Sequence, residues 1–332
     1  RCSSDLAVAL WHLQQDWLTG RVVRAILRAD PRNALAWDAL GRLYSDYEAV
    51  ASAEYCYKKA LSITPNNAGM VANLAVLVAE NLRVEESISL LRKAIKLMPS
   101  DQGNYSRLNF ALSHSANIEP AALFEEHRVY GRLTEKWAKE QKTRFNWSGS
   151  KDPQRPLRIG FVSGDLCHHP VTWFLKPYWA NFNREQYELY VYNTSPIYDD
   201  VSEYFEKTST KWRNVFTKSA LELARIVNED AVDILIDLSG HTGYNRLATF
   251  ALKPAPVALG WIGYPCTSGL IAMDYHICGT GMAKPGELDD QFTEKLIFMP
   301  MPVQYEPPKN VPDVNPLPAL SNGEIGRASC RE

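Results

Sequence analysis

The sequence predicts an array of paired α-helices over its first third, followed by an α/β lobe built on a parallel sheet. Three observations carry this. Pro31, Pro65 and Pro99 stand 34 residues apart, a spacing at which a helical hairpin can repeat. Beyond residue 156, apolar runs of strand length replace helical spacing. Those runs alternate with helix-length segments, the pattern of strands covered on both faces by crossover helices.

The 332 residues are 45% hydrophobic with a net charge of -2, enough for about two domains. The near-neutral balance gives no electrostatic reason to expect nucleic acid or an anionic membrane as partner. No apolar run approaches the roughly 18 residues of a membrane helix. The opening "RCSSDLAVALW" lacks the apolar core and cleavage site of a signal peptide. The chain opens on Arg1 and its first methionine is Met70, so the start of the gene product is expected to lie upstream. Cys2, Cys56, Cys167, Cys266, Cys278 and Cys330 are scattered without CxxC spacing, which predicts reduced thiols and a cytoplasmic protein.

The repeat region is expected over residues 1–119. Trp37, Leu40, Gly41, Tyr44, Ala53, Tyr57, Ala60 and Pro65 form one unit, and Val71, Leu74, Ala75, Val78, Ser87, Leu91, Ala94 and Pro99 the next. Large residues give one apolar face on a first helix; small ones (Gly41/Ala75, Ala53/Ser87, Ala60/Ala94) sit where the paired helices approach closely. Each proline ends the second helix, because it cannot donate the backbone bond and clashes with the preceding turn. A partial unit precedes Pro31, and a third begins at Tyr105 and Leu108. Residues 120–143 read as one long helix with Pro120 in its first turn. Helix and linker together occupy 120–156.

The α/β lobe is expected over 157–300. "LRIGFVSGD" (157–165), "YELYVYNTS" (187–195) and "VDILIDLSG" (232–240) read as buried strands, with helices over 170–182 and 219–229. "VALGWIG" (257–263), "MDYHICG" (273–279) and "EKLIFMP" (294–300) are further strands. In open parallel sheets ligands bind beyond the carboxyl ends of the strands. Three loops are expected there: "SGDLCHHPV" (163–171), "SGHTGYNR" (239–246) and "GYPCTSG" (263–269). Helix N-termini at that level offer free N–H groups to a phosphate. Asp165 reads either as a helix cap or, with His169, as an acid–base pair. Cys167 beside His168 and His169 does not read as a metal site, since adjacent ligands cannot wrap one ion. The absence of GxGxxG disfavours a nicotinamide cofactor. Prolines 300, 302, 307, 308, 312, 316 and 318 predict an extended segment over 301–325, and the final "GRASCRE" (326–332) reads as a foreign or frameshifted tail.

Two resemblances add to this reading. The 34-residue units resemble the tetratricopeptide repeat, which implies an extended peptide in a concave groove. By that resemblance Asn73 sits where related arrays carry a backbone-gripping asparagine, while Ala39 and Arg107 occupy the equivalent positions.

"SGDLCHHPVTWFL", "DILIDLSGHTGYNRL", "KPAPVALGWIGYPCTSG" and "MDY" resemble the O-linked N-acetylglucosamine transferases and their bacterial homologues, with the plant SPINDLY-type enzymes as near relatives. The resemblance implies a tetratricopeptide-repeat superhelix followed by a Rossmann-like lobe, the N-terminal half of a GT-B glycosyltransferase; residues 301–325 would lead toward a second lobe that this sequence lacks, so the chain as given is expected to be an incomplete, inactive fragment. It implies inverting transfer of a sugar from UDP-GlcNAc to Ser or Thr of proteins, without metal or other cofactor. Asp165 and His169 fall on the family's active-site aspartate and histidine, and Ile262, Gly263 and Pro265 on the loop that approaches the nucleotide sugar. Gly240, His241, Thr242 and Arg246 fall on a loop near the site. Asn104–Tyr105 stand where animal members carry a further histidine, and Gly279 replaces an aspartate. A non-catalytic, peptide-binding adaptor with a degenerate lobe is the alternative expectation.

Overall fold

A computed structural model describes residues 16–147, 152, 154–300 and 305. The extended segment 301–325 (but for residue 305), the tail 326–332, Cys2 and Cys330 lie outside these residues. The helical layer comprises α1 (Asp16–Ala29), α2 (Ala34–Asp46), α3 (Val50–Ile63), α4 (Ala68–Glu80), α5 (Val84–Leu97), α6 (Gln102–Leu112) and α7 (Pro120–Glu140).

The 34-residue period appears in details that packing requires. Asn33 and Asn67 cap α2 and α4 by accepting the N–H three residues on, and Asp101 caps α6 by accepting from Gly103. Each satisfies an N–H that the first helical turn leaves without a partner. Glu48 and Leu82, again one period apart, take positive φ in the turns between paired helices. Helices α1, α3 and α5 each end two residues before a proline. Gly41 lies where a Cβ would stand 2.7 Å from the Tyr57 ring, so the α2–α3 crossing depends on it. Ala53, Ala60, Ala75 and Ala94 have no exposed surface.

The lobe carries seven parallel strands in the order β3-β2-β1-β4-β5-β6-β7. They are β1 (Leu157–Ser163), β2 (Tyr187–Asn193), β3 (Lys211–Asn214), β4 (Ile234–Asp237), β5 (Val257–Gly260), β6 (Tyr275–Gly279) and β7 (Lys295–Met299). Side chains alternate between two cores, as strand geometry requires. Ile159, Phe161, Leu189, Val191 and Ile236 face α8 (Pro170–Asn181) and α9 (Asp200–Thr208). Val162, Tyr190, Tyr192 and Leu235 face α10 (Ala220–Glu229) and α11 (Leu247–Ala251). Tyr130 of α7 belongs to this second core and Ala138 packs with Ala224 and Leu252, so the later half of the long helix packs on the lobe while Leu123 near its start packs on the repeat helices. Chain order reverses between β1 and β4, which places a crevice at their carboxyl ends.

Candidate functional site

Strands β1, β4 and β5 are neighbours, with Val162 opposite Asp237 and Asp237 opposite Gly260. Their trailing loops therefore leave one sheet edge together, and they touch. A Cβ on Gly164 would stand 2.6 Å from that of Tyr244, and the Gly164 N–H donates to Ser239 Oγ. Gly240, at φ +57°, would place a Cβ 2.2 Å from that of Tyr264. One on Gly263 would meet the Leu238 carbonyl oxygen at 1.8 Å. No side chain beyond glycine fits at these contacts, so glycines at 164, 240 and 263 are what let three loops share a rim.

In the first loop His169, not Asp165, caps the following helix. Pro170 occupies the first helical position, and His169 Nδ1 accepts the Val171 N–H at 3.3 Å. That bond leaves the proton of the neutral ring on Nε2. Nε2 stands 4.0 Å from Asp165 Oδ1. The Asp165 side chain is largely buried, and its Oδ2 has no hydrogen-bond partner. Burial pushes its carboxyl above the ordinary range, partly offset by His169. A half-exposed imidazole thus presents a donor beside a carboxylate with an open acceptor.

In the second loop Asp237 ends β4 fully buried and accepts the Gly240 N–H at 2.7 Å. Burial raises its carboxyl to about 7. Thr242 closes the turn by donating its hydroxyl to the Ser239 carbonyl. His241 faces the helical layer instead of open solvent: Nδ1 accepts from Ser106 Oγ at 2.9 Å and Nε2 donates to the Ser268 carbonyl at 3.1 Å. Fully enclosed, its ring is held well below its ordinary pKa by burial and by His127. Arg246 donates to the Phe216 carbonyl at 2.8 Å, and its buried Nε has no partner. Burial lowers its pKa, and no carboxylate among the described residues forms an ion pair with it.

In the third loop the Gly263 N–H donates to the Trp261 carbonyl at 2.9 Å across Ile262, whose φ is +69°. This is a γ-turn of positive φ, strained for any side chain and most for a β-branched one. Pro265 is exposed at the rim. Behind the loop a small cavity of about 10 Å³, near the least that holds a water, is lined by Asp237, Ser268, His276 and Glu294 among others.

Asn73 lies away from this edge. Its amide donates to Asp38 Oδ1 at 2.9 Å, and Asp38 also pairs with Arg42, so α4 is tied to α2. Asn104 is buried and accepts from Arg107. His168, Asp199 and Asp200 lie close enough together to offer ligands to a cation, but Asp199 already caps α9 and Asp200 takes the His168 ring. Cys56, Cys167, Cys266 and Cys278 are free thiols. Sequence reasoning missed His127, Asp237, Tyr264 and Glu294. Only Asp237 left a signal, a carboxylate closing an apolar strand run.

Residues 89–304 match glycosyl transferase family 41. The chain belongs to that family. Among curated proteins, this family 41 chain is 33% identical over 236 residues to the probable UDP-N-acetylglucosamine–peptide N-acetylglucosaminyltransferase SPINDLY of Solanum lycopersicum, covering 70% of the chain and 25% of that protein. It is 34% identical over 208 residues to the protein of the same name from Arabidopsis thaliana, covering 61% and 22%. Among solved structures, a mutant of the Thermobaculum terrenum O-GlcNAc transferase superposes with a TM-score of 0.85 at 31% identity, over 95% of this chain and 60% of that one. The chain thus spans about a quarter of the length of these curated relatives, and the shared architecture is a helical repeat layer with an α/β lobe. Among the described residues no helix is long and apolar enough to cross a membrane.

Proposed function

We propose that this family 41 chain carries the acceptor-side part of a protein O-GlcNAc transferase, passing a sugar from UDP-GlcNAc to a Ser or Thr hydroxyl with inversion. The observation that carries the reading is Asp165 Oδ2, an enclosed carboxylate oxygen with no partner, beside His169 at the rim where the three loops meet.

The chemistry follows from these groups. The acceptor hydroxyl attacks the anomeric carbon as the bond from that carbon to the diphosphate oxygen breaks, and the electron pair leaves with UDP. The hydroxyl proton needs an acceptor, and we assign that role to the Asp165 carboxylate, whose enclosed Oδ2 has its acceptor capacity unused and would be reached through a water admitted at the rim. A carboxyl whose pKa burial raises is better suited to accept that proton than an ordinary one. His169 Nε2–H is oriented to donate, to Asp165 or to an oxygen of the donor. Arg246 is a cation without a carboxylate partner among the described residues and would offer charge toward the departing diphosphate. Ile262, Gly263 and Pro265 form the wall against the nucleotide sugar. The reading calls on no metal ion or other cofactor.

The helical layer would supply contacts to the protein acceptor. Free thiols and a nucleotide-sugar donor fit a cytoplasmic setting. Because the chain covers 60% of the Thermobaculum enzyme, the second lobe of a GT-B pair would complete the donor site. Measured on the complete gene product, Asp165→Asn should lower sugar transfer by about 10²-fold or more while leaving peptide binding intact. Unchanged transfer would remove Asp165 from the chemistry.

A further inference from the structure

Helix α7 lies outside the α/β lobe, yet it grips the third loop at two places. In the middle, Tyr264 hydroxyl and His127 Nε2 are 2.9 Å apart. His127 Nδ1 donates to the Leu123 carbonyl at 2.7 Å, which leaves Nε2 as the acceptor and the tyrosine as donor. The hydroxyl also reaches the Asn109 carbonyl at 3.2 Å. At the far end, Arg128 donates to the Gly269 carbonyl. There a Cβ on Gly131 would come within 1.8 Å of that same oxygen, and one on Gly269 within 2.1 Å of the His127 carbonyl. Between these points and β5 sits the γ-turn at Ile262.

Strained backbone persists only where its surroundings over-determine it. Ile262 would relax to negative φ if the segment after it were free to shift. Gly263 cannot move inward, since it already abuts Leu238. Tyr264 cannot swing outward without giving up its bond to His127 of α7, the longer approach of the same hydroxyl to the Asn109 carbonyl of α6, and its contact with Gly240. We infer that α7 is a clamp whose His127–Tyr264 hydrogen bond holds the strained turn at Ile262, so that His127 and Tyr264 are positioning residues for the loop proposed above to face the nucleotide sugar. The inference rests on that reading for its consequence in binding, but the clamp itself is a property of this chain. A helix that follows the repeats is then part of the site, and the turn is fixed before any donor arrives.

Amide hydrogen exchange of Gly263, followed by NMR in the 332-residue chain, tests this with Tyr264→Phe made in two backgrounds, the native one and Ile262→Gly. Tyr264→Phe removes one hydroxyl, and losing that buried hydrogen bond should speed Gly263 exchange about tenfold. In the Ile262→Gly background the turn carries no side-chain strain, so the same change should speed exchange by less than about threefold. Exchange of the Phe161 amide in β1 reports whether the core is intact. Equal acceleration in both backgrounds would mean the bond adds general stability only, and no acceleration in the native background would mean it holds nothing; either overturns the clamp. Should Tyr264→Phe not fold, Arg128→Ala is carried through the same two backgrounds with the same criterion. No nucleotide enters the measurement, so failure of the donor reading leaves its outcome untouched.

Discussion

Gly263 lies against Leu238 so closely that a Cβ would stand 1.8 Å from the leucine carbonyl oxygen. The contact joins the loop after β5 to the loop after β4 through backbone alone, with no flexible side chain to yield. Gly263→Ala must therefore displace one loop or the other. Its expected cost is at least about 2 kcal/mol, at the upper end of overpacking, read as a fall in the denaturant midpoint with unchanged slope. A midpoint within error of the parent would show that the loops separate freely.

His241 is a second joint, this time between layers. Its ring accepts from Ser106 of α6 and donates to the Ser268 carbonyl. His241→Ala leaves both partners enclosed and opens a cavity, so a loss of about 2–4 kcal/mol is expected by chemical denaturation. His241→Asn, which keeps one donor and one acceptor, should recover part of it.

The site's buried groups give stability a pH dependence of two signs. His127 is pushed down to about 4 by burial, below the ordinary 6.5. The unfolded chain then binds the proton first, and stability is lost as pH falls from 6.5 toward 4. Asp237 is raised to about 7, above its ordinary 3.8. The folded chain binds that proton first, so Asp237 adds stability as pH falls from 7 toward 3.8. Asp237→Asn removes the second effect alone. Between pH 7.5 and 5.5 the parent should gain on this variant by about 1.4 kcal/mol for each unit below 7, measured by urea titrations at the two pH values. A constant difference would show that Asp237 is ionised throughout.

Asn73 carries a different expectation from the one its sequence position gave. Its amide donates to Asp38, whose carboxylate is otherwise held by Arg42. Asn73→Ala should cost about 1–2 kcal/mol by weakening the α2–α4 contact, visible in thermal unfolding. Loss of a peptide partner with no loss of stability would favour the groove-binding role.

Local periodicity made the architecture legible. A 34-residue spacing of prolines located the helix pairs because backbone geometry forces a proline outside the helix, and small residues marked the crossings. Apolar runs located six strands for a similar reason. Strand β3 escaped: "KWRN" has no apolar run, and it is held at the edge by Lys211 and Arg213 pairing with Asp230, a contact made across the fold. The same limit governs the site. Asp165 and His169 are four residues apart on one loop, so their proximity could be read along the chain. His127 and Tyr264 are separated by 137 positions, and no spacing rule joins them. His241 had the residue type of a site histidine, and only the packing of α6 and α7 over it shows that its ring turns inward. The positive φ at Ile262 left no trace, because a β-branched residue is the last that propensity would place there.

On the proposed reading the loops after β1, β4 and β5 form one face for a nucleotide sugar. Backbone amide shifts of the 332-residue chain, followed on titration with millimolar UDP-GlcNAc, test it most directly. Shifts are expected at Gly164–His169, Gly240–Thr242 and Ile262–Thr267, with weaker ones at those same amides when Arg246 is replaced by alanine. Shifts confined to the helical layer or to the opposite edge of the sheet, or none at any concentration, would contradict it.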